Sequence, residues 1–358
     1  RVKPPAVRAA LLGVTGLRCN ADRAVPPTDT SPRSASIPAT TSSATDEARA
    51  QPATLLSGAL MRSPFNPLVR NGPEPFDFWK TGPRVVLKIG PSDYRMWYEA
   101  LGQDSVARVG YATSQDGVRW TKQGIVMAPA WEWEREEVSP NSVIVEDGTF
   151  KMWYHAGGYV RARRRLGYAY IGYATSTNGT KWSSSSSPVF TTGPSGSFDD
   201  EHMAEPRVFK LGNEYRMYYT GWNVATSRHA LGVAMSADGV RWSRYSQSPI
   251  LPPSRFGGWG GAFLFHGGIW HLWHATSDDV SGIVYQWSAD GLAWNDGSPD
   301  LVLRPSRDRK AAGDAAIGDS VSGYLDGSVY RVLYTGFNEN FRGTGRLEAI
   351  CMASIAVE

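Results

Sequence analysis

The chain has 358 residues, 41% of them hydrophobic, with 14 Trp, 16 Tyr, 38 Gly and 23 Pro. That supplies a sizeable core made of short strands and turns, and no apolar run reaches the roughly 20 residues a membrane-spanning helix needs. Of the formal net charge of +3, eight basic and four acidic residues lie in positions 1–62, leaving 29 basic and 30 acidic for positions 63–358, so a nucleic-acid-binding surface is not expected.

Residues 1–62 form a leader rich in Ala, Ser, Thr, Pro and Arg, as in Thr28-Asp29-Thr30-Ser31-Pro32-Arg33-Ser34. Such a composition buries too little apolar surface to offset its ordering entropy, and the segment is predicted to be disordered. It resembles an organellar, plastid-type transit peptide. A secretory signal is the alternative, with Arg1, Lys3 and Arg8 ahead of the weakly apolar run 9–17, and a plain linker is the third reading. Cys19 and Cys351 stand far apart, which gives neither a disulfide framework nor a zinc site. No motif calls for a metal or a cofactor.

Beyond the leader the sequence repeats. Ser114-Gln115-Asp116-Gly117-Val118-Arg119-Trp120 returns as Ser176-Thr177-Asn178-Gly179-Thr180-Lys181-Trp182, as Ser236-Ala237-Asp238-Gly239-Val240-Arg241-Trp242 and as Ser288-Ala289-Asp290-Gly291-Leu292-Ala293-Trp294. Asp-Gly or Asn-Gly between apolar runs makes a tight turn, because these residues tolerate positive φ. A strand of large residues precedes each turn: Tyr94–Tyr98, Phe150–Tyr154, Tyr215–Tyr219 and Trp270–His274, with a fifth copy at Tyr330–Tyr334. Upstream of each lies another strand, beginning near Pro83, Pro140, Pro206, Gly261 and Val321. Inner, second, third and outer strand in five copies predict an all-β, five-bladed propeller of four-stranded antiparallel blades over 63–358. The chain ends within the third strand of the fifth unit, and Ser63–Val69 matches the missing outer strand. The prediction is that residues 63–69 close the ring in the last blade.

Function is expected where one blade departs from the others, at the channel mouth before the inner strands. Blade three carries Asp199-Asp200-Glu201-His202-Met203-Ala204-Glu205-Pro206-Arg207, and Glu205 abuts the inner-strand proline where other blades have Gly82, Ser139, Gly260 and Ser320. A carboxylate there can serve as a general acid; a salt bridge to Arg207 or Arg84 is the structural alternative. Asp77 and Glu134 both precede their prolines by six residues, and Asp199 precedes Pro206 by seven, a recurrence that reads as structural. Asp77 and Glu137 nevertheless remain candidate bases, and Glu136, Glu201, His202 and Asp319 candidate substrate contacts. Arg84 and Arg207 are candidate anion ligands, as is the run Arg161-Ala162-Arg163-Arg164-Arg165. Trp259, flanked by glycines, is a candidate sugar-stacking platform.

Met-Trp-Tyr followed by Ala-Thr-Ser-x-Asp-Gly-x-x-Trp resembles the five-bladed glycoside hydrolases of families 43, 32 and 68, which include arabinanases, invertases and levansucrases; related propellers act as mannoside phosphorylases. The resemblance covers about residues 63–358. It implies three carboxylates at the mouth: an Asp base or nucleophile in blade one, a supporting Asp in blade two and a Glu acid in blade three, the last matched by Glu205. Where an Asp is expected, blade one has Thr81-Gly82-Pro83 and blade two Val138-Ser139-Pro140, and Glu205 is adjacent to its proline rather than one residue removed. The resemblance therefore leaves three readings open: glycosyl cleavage or transfer, binding of a carbohydrate or a protein partner without catalysis, and phosphorolysis with Arg84, Arg207 and His202 holding phosphate.

Overall fold

In the computed structural model the repeated turns form for a local reason. Ser114 Oγ accepts the amide hydrogens of Asp116 and Gly117 at 3.2 and 2.9 Å, while Asp116 Oδ1 accepts those of Val118 and Arg119 at 2.9 and 2.7 Å. Gly117 sits at φ +71°, which a side chain would resist. The turns at Ser176, Ser236 and Ser288 repeat the arrangement. Trp182 and Trp242 donate their indole N–H back to Gly179 and Gly239, each at 3.0 Å. The same two carbonyls take a second indole N–H, at 2.7 Å, from Trp97 and Trp153 of the preceding repeat, so each turn also docks its neighbour.

The structure describes residues 55–357, apart from 161–164, 224, 226–227, 254, 257–258, 277–281, 297–300, 307–314 and 338–347. Among the described residues a short 3-10 helix at Pro75–Asp77 is the only helical element, and strands make up the rest of the regular structure. Strand β1 (Met61–Arg62) is followed by two meanders, β2 (Lys80–Gly90), β3 (Asp93–Leu101), β4 (Ala107–Ser114), β5 (Thr121–Met127) and β6 (Glu137–Glu146), β7 (Thr149–Val160), β8 (Arg165–Ser176), β9 (Ser183–Ser184), β10 (Phe190–Thr191). These two share one sheet through a single parallel pairing, Ala107 with Glu137. Next come β11 (His202–Leu211), β12 (Glu214–Trp222), β13 (His229–Ser236), β14 (Ser243–Arg244), then β15 (Ala262–His266), β16 (Ile269–Ala275), β17 (Ile283–Ser288), β18 (Trp294–Asp296), each set a separate four-stranded sheet. The final sheet holds β19 (Ala316–Asp326), β20 (Val329–Phe337), β21 (Glu348–Ala356) and, from the other end of the chain, β1.

Core clusters lie between meanders rather than within them. Trp97 and Val109 pack with Met152 and Tyr154, Trp153 with Met203 and Tyr219, Tyr218 with Phe263 and Trp294, and Trp273 with Tyr330 and Tyr334. A fifth cluster joins Tyr324, Leu333 and Ile350 of the last meander to Val86, Met96 and Tyr98 of the first.

The N-terminal strand pairs with β21 through Met61 opposite Ser354 and Arg62 opposite Ala353. It continues with Asn66, whose Nδ2 donates to Met352 O at 2.9 Å and whose Oδ1 accepts from Met352 N at 2.8 Å, and ends in a bridge between Val69 and Ile350. The tie thus starts at Met61, two residues before the expected segment 63–69. The leader was expected to run to residue 62, but Leu56 and Leu60 are buried against the β15–β21 core. Apolar anchors in a polar, Pro-rich context are hard to see before their partners are known. Residues 1–54, including Cys19, lie outside the described residues.

Candidate active site at the inner-strand ends

Prolines position the site. Pro83, Pro140 and Pro206 offer no N–H to the ladder, and the register of β2, β6 and β11 breaks at Gly82/Val85, Pro140/Ser142 and Ala204/Arg207. Each break frees a side chain that meets the others: Arg84, Asn141 and Glu205. At Glu205 the backbone is left-handed, φ +56°, a costly conformation for a residue with a Cβ.

Glu205 is 2% exposed and both its oxygens are engaged. Oε1 pairs with Arg84 Nη1, while Oε2 accepts from Asn141 Nδ2 at 3.0 Å and Arg207 Nη2 at 3.2 Å. The salt-bridge alternative is therefore realised with both arginines at once. Arg84 also donates to Ser139 Oγ at 2.9 Å, to Ser320 Oγ and to Glu99 Oε2. Burial opposes its charge, but Glu205, Glu99 and Glu137 outweigh that and hold its pKa above the usual guanidinium value.

Arg207 corrects an expectation. Rather than waiting for an anion, its guanidinium donates to the carbonyls of Gly261 at 3.3 Å, Arg84 at 3.1 Å, Asn141 and Val321 at 3.1 Å, besides Glu205. All five N–H groups an arginine owns are occupied. Desolvation, partly countered by Glu205, lowers its pKa to about 10. Arg84 is nearly as saturated, with four of its five N–H groups bonded.

Glu99 is a site residue the sequence reading missed. It lies buried on β3, salt-bridged to Arg84 and, at 3.1 Å, to Lys80, which also approaches Glu348 at 3.9 Å. Burial works against its charge, yet Arg84, Lys80 and His155 pull its pKa down to about 2. His155 on β7 was missed as well. Its Nε2 is 3.0 Å from Glu137 Oε1 and its Nδ1 3.0 Å from Asn141 Oδ1. Both residues follow the repeated tyrosine of a second strand, a place taken by Thr220, Ala275 and Thr335 in the other repeats, and that inequality was the available signal.

Asp77 is placed elsewhere. It is fully buried, with Oδ2 2.5 Å from Lys122 Nζ and 3.3 Å from Tyr98 OH; burial raises its pKa, with Lys122 and Tyr98 pulling the other way. Glu134 takes Tyr154 OH at 2.6 Å and Asp199 takes Tyr219 OH at 3.0 Å. The recurrent acid thus anchors a recurrent tyrosine. The Glu137 amide donates to the Glu134 carbonyl at 3.1 Å, but the carboxylates of Asp77, Glu134 and Asp199 bond to tyrosines and basic side chains or amides, not to the Arg84 cluster.

Glu137 remains with the cluster, whereas its neighbour Glu136 is exposed and joins the structure through its backbone, bonded to Gly157 and Ala107. At the same ends of β11–β13, His202 packs edge-on to Trp222 with centroids 4.9 Å apart, and His229 lies 4.2 Å from the Trp259 ring. Burial, with His202 close by, lowers the His229 pKa to about 4, so that imidazole stays neutral near pH 7. Trp259 itself is half-buried and bridges Ser320, and Glu201 bonds its backbone to Trp222. Asp319 falls on β19 with its side chain outside the described set; the arginine run 161–164 lies outside the described residues, as does the Arg165 side chain.

A cavity of 370 Å³ lies against Arg84 and Arg207 and is lined by residues that follow them along the inner strands, including Leu87, Phe209, Phe265 and Leu325. None of Glu99, Glu137 and His155 lines it.

Residues 91–255 match the model of the glycosyl hydrolases family 32 N-terminal domain. The chain is 24% identical over 243 residues to uncharacterized protein MT1551 of Mycobacterium tuberculosis, covering 62% of this chain and 77% of that one. Among solved structures, one titled a glycoside hydrolase superposes with a TM-score of 0.65 at 15% identity, over 82% of this chain and 92% of its own. A thermostable family-43 glycoside hydrolase gives 0.59 at 19% identity, over 78% and 90%. The chain thus resembles the propeller-type glycoside hydrolases in sequence over its middle part and shares their fold over most of its length.

Proposed function

We propose that this chain is a five-bladed propeller, closed by residues 61–69, that acts on a glycosidic bond at the end of the channel where Glu99, Glu137 and Glu205 gather. The five meanders, the core clusters that lead from each to the next and from the last to the first, and the single guanidinium bonded to four inner strands and to Gly261 just ahead of β15 support the ring. One observation carries the function. Three buried carboxylates from the first three meanders meet around Arg84, which is salt-bridged to two of them and feels the third. Glycoside cleavage uses carboxylates on either side of the bond, and the half-buried Trp259 beside neutral His229 offers an apolar face to a sugar ring.

Within that set the roles divide by chemistry. A general acid must give up a proton and keep an oxygen for the substrate; Glu205, with both oxygens bound to guanidinium and amide, does neither and acts as the post of the site. Glu99, held anionic, suits charge stabilisation, and Glu137 beside His155 suits proton exchange. The test is turnover of a panel of 4-nitrophenyl arabinosides, fructosides and mannosides. Glu137→Gln should lower kcat at least about a hundredfold on any substrate turned over; unchanged turnover would sink the assignment. Binding without cleavage is the second reading, favoured by the full pairing of Glu205. Calorimetric binding of an oligosaccharide with no product formed would select it.

A further inference from the structure

Hydrogen bonds around Asn141 decide which atom of His155 faces which neighbour. The backbone N–H of His155 donates to Asn141 Oδ1 at 3.0 Å, and Asn141 Nδ2 donates to Glu205 Oε2 at 3.0 Å. A side-chain amide has one accepting and one donating end, so a carboxylate on one side and an N–H on the other fix its orientation. His155 Nδ1 lies 3.0 Å from that same accepting oxygen. An oxygen that only accepts requires a hydrogen on Nδ1. The amide of Glu205 also points at Nδ1, but from 3.4 Å, the longer contact of the two.

With Nδ1 committed, Nε2 is left to face Glu137 Oε1 at 3.0 Å. Two acceptors at that distance repel; one hydrogen between them, on either atom, makes a bond. We propose that Asn141 and His155 are positioning residues that hold one exchangeable proton against Glu137, and that Glu205 sets this arrangement from a distance by orienting Asn141. The carboxylate in the blade-three position then serves the site through two hydrogen bonds. Other charged groups nearby are Glu99, whose pKa feels His155, and Arg84, whose pKa feels Glu137; Lys80 sits behind Glu99. The kinetic consequence rests on the glycosidase reading above, whereas the hydrogen-bond order does not.

The experiment is nitrogen-15 NMR of the full chain with labelled histidine, the His155 signal being identified by its loss in His155→Gln. In the wild type Nδ1 should carry hydrogen and Nε2 should show a shared or bound hydrogen. In Asn141→Leu the lock is gone and the Glu205 amide becomes the nearest partner of Nδ1, so the hydrogen should move to Nε2. A wild-type Nδ1 without hydrogen, a bare Nε2, or an unchanged pattern in Asn141→Leu each overturns the proposal. Asn141→Ser, which is smaller and polar, replaces the leucine variant if that fails to fold. On any glycoside the protein cleaves, Asn141→Leu should reduce kcat about tenfold or more with little change in KM. The expected NMR pattern without turnover of any glycoside would uphold the hydrogen-bond order while removing the catalytic reading.

Discussion

Arg207 shows how one residue can hold several strands in place. Four backbone carbonyls from four meanders and one carboxylate converge on its guanidinium, and buried carbonyls need a donor. Arg207→Met should therefore cost at least about 3–5 kcal/mol, the usual loss on breaking a buried pair from one side, read as a lower midpoint in urea. A loss below 1 kcal/mol would show that the carbonyls find other donors. Glu99 makes a pH prediction with a definite sign. Its carboxyl is held at about 2 in the fold against 4.5 for the free side chain, so the unfolded chain binds the extra proton. The stability it contributes is complete above about pH 4.5 and is lost as the pH falls toward 2. Glu99→Gln should thus be clearly less stable than wild type at pH 7, with the difference shrinking as both are acidified. A constant gap from pH 7 to pH 3 would contradict the pairing. Neither residue's role was visible in the sequence. Arg207 read as an anion ligand because its acceptors are backbone carbonyls, which no side-chain pattern reports. Glu99 and His155 hid inside strands whose aromatic periodicity reads as core.

At the scale of elements the repeats were legible because turns and strand alternation are local. Four Ser-x-Asp/Asn-Gly turns and the five second strands appear at the positions the sequence marks. The acid–tyrosine units were half legible: their recurrence said structural, and the missing half was the partner. Tyr98, Tyr154 and Tyr219 lie opposite Gly110, Gly172 and Gly232 on the adjoining third strands; the first two rings fill the space a Cβ would occupy, and at Gly232 Tyr219 shares it with Phe198. Gly172→Ala should then push Tyr154 off Glu134 and leave a buried carboxylate oxygen without its 2.6 Å partner. The steric and unsatisfied-group costs together come to roughly 2–4 kcal/mol. Tyr154→Phe, which loses only the hydroxyl, should cost about 1–3 kcal/mol. Equal or greater loss in Tyr154→Phe than in Gly172→Ala would mean that the glycine is not there for the ring.

On the scale of the whole molecule, the joint between the chain's two ends matters most. Hydrogen bonds link strands within each meander, but meanders meet chiefly through side chains, so the ring proposed above has one place where sequence continuity gives no help. That place is the last sheet, where β1 adds the strand that β19–β21 lack and Asn66 bonds both backbone groups of Met352. Leu56 and Leu60 add apolar anchors on the same side. Removing residues 55–69 strips an edge of its partner and opens the joint, exposing the backbone of β21 to other chains. The expected result is a broad, non-cooperative thermal transition with aggregation. Asn66→Ala, which leaves the backbone pairing intact, should keep a single sharp transition about 1–3 kcal/mol less stable. A sharp transition after removal of 55–69 would mean that the side-chain clusters alone carry the ring. Adding the missing segment back as a separate peptide should then change nothing. If the joint holds the ring, the peptide should restore cooperative melting in proportion to its concentration, as any ligand that binds only the folded state does.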